Sequence, residues 1–126
     1  MVDLPYTGFG CGFFDYDNDG DLDVAIANGR VKRGPLLPGT AVGEFWGPYA
    51  EPNLLLQNDG DGVFTDASGQ VRGGGTRIEV SRGLVFGDID HDGDIDLVVG
   101  NLGGPSCIFR NDAPPPGSHW LSVRAL

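Results

Sequence analysis

The sequence predicts an all-β fold built from two copies of one four-stranded unit, on three observations. Twenty-two Gly and nine Pro in 126 residues are too many for helices but suit short strands joined by tight turns. The stretch FFDYDNDGDLDVAIAN, starting at Phe13, returns 73 residues later as FGDIDHDGDIDLVVGN, starting at Phe86. No segment carries helical periodicity, whereas Leu121, Val123 and Ala125 alternate with Trp120, Ser122 and Arg124 in the period-two pattern of a half-buried strand.

The elements follow in chain order. In the first unit strands are expected at 10–14, 22–27, 53–58 and 63–66. NDGDG at 58–62 supplies the residues tolerant of positive φ that a hairpin turn needs. The second unit matches at Gly83 for Gly10 and at DIDLVVGN for DLDVAIAN, which puts strands at 83–86 and 95–100. NLLLQND, from Asn53, then matches SCIFRND, from Ser106, at an offset of only 53, so a third strand falls at 107–110. A last strand at 120–125 follows the rigid connector APPPG. The difference in offset leaves the first copy with a Gly-, Pro- and aromatic-rich insertion at about 29–52. The units therefore divide at 1–68 and 69–126, each needing a neighbour to bury its apolar faces.

The net charge of −10 is concentrated rather than spread. Asp15, Asp17, Asp19, Asp21 and Asp23 form one cluster, and Asp88, Asp90, Asp92, Asp94 and Asp96 the other. The remaining eight acids match the eight Lys plus Arg, so the rest of the surface is electrically ordinary. With no basic patch, nucleic acid is not an expected partner. No apolar run approaches the roughly 20 residues of a membrane helix, and MVDLPYTGFGCG at the start has neither the basic nor the apolar region of a signal peptide. Cys11 and Cys107 allow at most one intrachain bridge; both lie in apolar stretches and read as buried free thiols.

Five carboxylates crowded into one turn repel one another unless a cation compensates. Spacing by two lets a turning loop aim side chains from positions 1, 3 and 5 at one centre, with Gly at position 6 and a backbone carbonyl at position 7. These positions are Asp15, Asp17, Asp19, Gly20 and Asp21 in one loop, and Asp88, Asp90, Asp92, Gly93 and Asp94 in the other. An EF-hand would require Glu at position 12, where Ile26 and Val99 stand; the closing acid is instead Asp23 or Asp96 at position 9. The pattern D-x-D-x-D-G-x-x-D before a strand, present twice, predicts two Ca2+ sites. An all-oxygen cage suits calcium better than magnesium, and two His and two Cys without ligand spacing give zinc no site. His91, at position 4, reads as solvated.

GFFDYDNDGDLDVAIANG and GLVFGDIDHDGDIDLVVGN resemble FG-GAP/VCBS repeats, the blades of integrin-α-type calcium-binding β-propellers. NLLLQNDGDGVFTDAS, the IFRND segment and HWLSVRAL resemble the ASPIC/UnbV (cartilage acidic protein-like) type in particular. The resemblance implies an extracellular or cell-surface propeller module used for binding and adhesion, with calcium in a structural role. A closed propeller needs about four to eight blades and two are visible, so a partial propeller completed by homo-oligomerisation is expected, a cyclic trimer or tetramer first. Phe45, Trp46 and Tyr49 in the insertion are the candidate contacts for a protein or carbohydrate ligand, with packing against the core as the alternative. No nucleophile beside a plausible base and no G-x-S-x-G appears, so the chain is not expected to be an enzyme.

Overall fold

The computed structural model describes residues 5–40, 42–71 and 77–112. Eight strands follow in order: β1 (Gly8–Phe14), β2 (Asp23–Asn28), β3 (Glu51–Pro52), β4 (Leu54–Asn58), β5 (Phe64–Asp66), β6 (Ile78–Gly87), β7 (Asp96–Leu102) and β8 (Cys107–Phe109). They form two four-stranded antiparallel sheets, ordered β1-β2-β4-β5 and β3-β6-β7-β8. The only helical pieces among the described residues are three-residue 3-10 turns at Gly47–Tyr49 and Ser68–Gln70. The fold is the expected all-β pair of blade-like sheets.

The repeat extends to register. Phe13 stands opposite Val24 and Val24 opposite Leu56; in the second sheet Phe86 stands opposite Leu97 and Leu97 opposite Phe109. The irregularity between Gly8 and Gly10 in β1 recurs between Ser81 and Gly83 in β6. The turn after β4 uses Gly60 at φ 86° and Gly62 at φ 82°, the left-handed backbone that NDGDG predicts.

Packing of the sheets is front to back. Gly10, Gly12, Phe14, Ala25 and Leu55 of the first sheet face Leu84, Phe86 and Leu97 of the second. The repeat equivalents of those first three inward positions, Gly83, Val85 and Gly87, lie on the far side of β6. The glycines make the close approach possible. A Cβ on Gly10 would fall 2.9 Å from both Cβ and N of Leu84, and one on Gly12 would collide with the Phe86 ring. Phe14 and Phe86 meet with ring centroids 5.2 Å apart, at the centre of the core.

The second sheet contains a strand that the sequence did not announce. Residues 113–126, including the predicted strand at 120–125, lie outside the described residues. Among the described residues the sheet's fourth strand is β3, from the end of the first unit's insertion, paired through Glu51 opposite Glu79. This follows from β6 starting at Ile78, before the predicted Gly83, which offers a free edge upstream of the repeat match. Both carboxylates are buried and satisfied: Glu51 takes Arg30 Nε at 3.1 Å and the Thr7 N–H at 2.8 Å. Glu79 takes Arg77 at 3.4 Å and Asn101 Nδ2 at 2.8 Å. The insertion is therefore not a structureless loop; its end fastens one unit to the other. Cys107 is a buried thiol, pushed up in pKa by burial and by Glu79. Cys11 is exposed, contrary to expectation, because it lies on the outer face of β1, opposite Ile26.

Candidate metal centre

Each loop links the first and second strands of its unit, β1 to β2 and β6 to β7. Its shape is written in side chain–backbone bonds, and the two loops repeat them. Asp15 accepts from the N–H groups of Asp19 (3.1 Å) and Gly20 (2.9 Å), and Asp88 from those of Asp92 (3.2 Å) and Gly93 (3.2 Å). Asp19 accepts from Asp21 N–H, as Asp92 does from Asp94 N–H. Position 4 is left-handed in both, Asn18 at φ 58° and His91 at φ 64°, and so is position 6, Gly20 at 94° and Gly93 at 97°. His91 is exposed, as expected for a side chain turned away from the loop centre.

The aspartates at position 9 anchor the loops. Asp23 is fully buried; its Oδ2 accepts from Tyr16 N–H and its Oδ1 from Asn58 N–H, both at 2.8 Å. Asp96 does the same with Ile89 N–H (2.8 Å) and Asn111 N–H (2.9 Å). One carboxylate thus ties the start of its loop to the end of the unit's third strand.

The ligand positions converge differently in the two loops. One oxygen from each of Asp15, Asp17 and Asp19 lies within 4.8 Å of the others. That fits calcium, whose ligands sit at most about 5 Å apart across the ion. Asp17 Oδ1 is buried with no hydrogen-bond partner among the described residues. Burial, with Asp19 and Asp23 nearby, raises the Asp17 pKa. An orphaned carboxylate oxygen costs a few kcal/mol unless a cation meets it, so the residues present fit a hard divalent ion. In the second loop Asp88, Asp90 and Asp96 gather, and so do Asp90, Asp92 and Asp112. Asp21 and Asp94 stand in none of these three groups. Asp94 is instead buried, accepting from Asn18 Nδ2 of the other loop at 2.7 Å.

Three neighbours were not foreseen as site residues. Gln57 Nε2 donates to Asp17 Oδ2 at 2.7 Å, and Arg110 Nη1 lies 3.4 Å from Asp90 Oδ2. Asp112 is paired with Arg110 at 2.6 Å. The match of LLLQND with CIFRND contained the signal, since it sets Gln57 over Arg110 and Asp59 over Asp112.

The three insertion rings form a cluster. Phe45 meets Trp46 edge-on at 5.0 Å, and Tyr49 lies 6.4 Å from Phe45 and 6.3 Å from Trp46. Trp46 covers Gly103, where a Cβ would collide with the indole, so one ring has a packing role. Phe45 is 64% exposed, and Arg33 lies 6.0 Å from the Tyr49 ring.

Two front-to-back four-stranded sheets, with an acidic turn between β1 and β2 in one and between β6 and β7 in the other, define a β-propeller-type repeat module. A model of the FG-GAP-like repeat matches residues 15–99, and the chain belongs to that family. It is 35% identical over 79 residues to cartilage acidic protein 1 of Homo sapiens, and 36% identical over 79 residues to that of Xenopus tropicalis. These matches cover 63% of this chain and 12% of each relative, so the chain spans a small part of the relatives' length. No solved structure matches. Among the described residues no helix is long and apolar enough to cross a membrane.

Proposed function

We propose that this chain is a calcium-stabilised, non-catalytic binding module in which each D-x-D-x-D-G-x-x-D loop holds one calcium ion. The observation that carries the reading is Asp17 Oδ1, buried and unpartnered within a three-aspartate cluster whose hydrogen-bonded frame recurs in the second loop. Asp15, Asp17 and Asp19 would hold one ion, and Asp88, Asp90 and Asp92 the other, with the carbonyls of Asp21 and Asp94 and the carboxylates of Asp23 and Asp96 closing the cages. Bound calcium supplies positive charge that offsets carboxylate repulsion; the protein supplies loops already folded around the site.

Phe45, with Tyr49 beside it, is the surface proposed to meet a protein or carbohydrate ligand, since exposed aromatic rings serve as recognition anchors. The cartilage in the relatives' name supports an extracellular setting. The uncovered sheet faces are proposed to be covered by further blades of the same type, a second copy of this chain among them. Calorimetric titration of chelator-treated protein tests the metal reading. Two equivalents are expected, and millimolar calcium over a Kd of about 10⁻⁴ M should add about 1–1.5 kcal/mol of stability per site. An absence of heat, with a Tm indifferent to EDTA, would refute it.

A further inference from the structure

We propose that the residue at the third-strand position beside each loop, Gln57 in the first unit and Arg110 in the second, makes the two calcium sites unequal, the first binding more tightly. The inference rests on reading the loops as calcium sites. The two residues occupy the same place in the repeat and reach the same carboxylate. Gln57 Nε2 donates to Asp17 Oδ2 at 2.7 Å; Arg110 Nη1 lies 3.4 Å from Asp90 Oδ2. Asp17 and Asp90 both hold position 3. Carboxylates stand at positions 1, 3, 5, 7 and 9 of both loops, so the loops themselves carry the same charge; in the second, Asp112 brings a further carboxylate oxygen within 4.8 Å of Asp90 and Asp92.

The charge at the third-strand residue is what differs. An amide fixes one oxygen of Asp17 and adds no charge, leaving Oδ1 unpartnered for a cation. A guanidinium forms an ion pair with the ligand itself, so a second cation must compete with it. Asp112 reduces this difference without abolishing it. It holds Arg110 Nε at 2.6 Å, but the first unit has Asp59 at the equivalent place, its Oδ1 taken by the N–H groups of Asp61 and Val63. By sequence the units differ by the charge of Arg110, and Asp112, paired with Arg110 and gathered with Asp90 and Asp92, lowers that contrast at the second loop. The Arg110 side chain is 60% exposed, so a dielectric near that of water applies. An unpaired guanidinium about 6 Å from a divalent ion would weaken binding roughly ten-fold, an upper bound that the Asp112 carboxylate and added salt both lower.

Calcium titration of single-site proteins tests this, with D92A keeping the first site and D19A the second. The first site should bind more tightly than the second, by up to about ten-fold. R110Q in the D19A protein should remove most of that gap, R110K should leave the site weak, and Q57R in the D92A protein should weaken the first site by a similar factor. Far-UV circular dichroism in EDTA establishes that the variants fold alike; a variant that does not fold is replaced by R110M, which also removes the charge. Equal affinities at the two sites, or a second site unchanged by both R110Q and R110M, would overturn the inference while leaving the calcium sites standing. Absence of binding to the unmodified protein would overturn the calcium reading instead.

Discussion

Gly10 and Gly83 are the same residue of the repeat, and the structure requires Ala to act in opposite directions at the two. At Gly10 the added Cβ would meet Cβ and N of Leu84 at 2.9 Å. One of those atoms is backbone, so no rotamer change relieves the contact and the sheets must separate by about 0.5–1 Å to reach ordinary carbon contact distances. Such a gap forfeits a quarter to a half of the dispersion well for atoms across it. Overpacking of this kind costs about 1–3 kcal/mol, offset by about 0.4–1 kcal/mol from restricting the unfolded chain. Gly10→Ala should therefore destabilise by roughly 1–2 kcal/mol.

At Gly83 nothing among the described residues lies within 4 Å of the added Cβ, because no described residue packs on that face of the second sheet. Only the unfolded-state gain of about 0.4–1 kcal/mol remains. Urea unfolding in calcium at submicromolar protein should move the two midpoints apart, Gly10→Ala downward and Gly83→Ala slightly upward. Equal shifts in one direction would refute the front-to-back packing. A Gly83→Ala loss that grows with protein concentration would show another copy covering that face.

Position-by-position substitution separates ligands from frame. Asp19→Ala and Asp92→Ala should each abolish one calcium equivalent in calorimetry, while Asp21→Ala stays mild. Asp94→Ala should keep affinity yet lower stability by about 1–2 kcal/mol, since it removes the acceptor for Asn18; equal calcium loss at all four positions would mean the loop geometry is wrong. Asp23→Ala and Asp96→Ala each remove two backbone bonds to a buried carboxylate. Each should cost about 3 kcal/mol or more in urea melts, with EDTA present as well as without it.

The parts of the fold legible in the sequence are those whose signals are local or repeated. The β1–β2 and β6–β7 loops were readable because Gly at position 6 and Asp at alternate positions state backbone conformation and ligand direction together. β4 and β5 were readable from NDGDG. What stayed hidden depends on contacts between units. β3 is two residues long and carries no period of its own; it exists because β6 offers an edge and Arg30 neutralises Glu51 beside it. The exposure of Cys11 was hidden for the same reason, since an apolar strand says that a face wants cover and not whether this chain provides it. Asp23 and Asp96 read as closing ligands, and their two backbone bonds show a structural duty that spacing alone does not reveal.

Front-to-back packing also bears on the association proposed for this chain. In a symmetric face-to-face sandwich the two sheets would satisfy each other, and the remaining surfaces would have no reason to be apolar. Here the contact joins unlike faces of like units, so each sheet retains the face that its neighbour uses. The first sheet shows Phe13, 66% exposed, whose repeat equivalent Phe86 is packed inside the interface. The second shows Val85 and Ile108, 63% and 66% exposed, whose equivalents Gly12 and Leu55 form the covered side of the first. The outer face of one sheet thus has the repeat positions needed to receive the outer face of the other. A contact of that kind is head-to-tail; it closes a ring where its rotation divides the circle and runs on as a filament where it does not. The occupant proposed for each of these faces therefore carries the same repeat, on another copy or on a neighbouring blade.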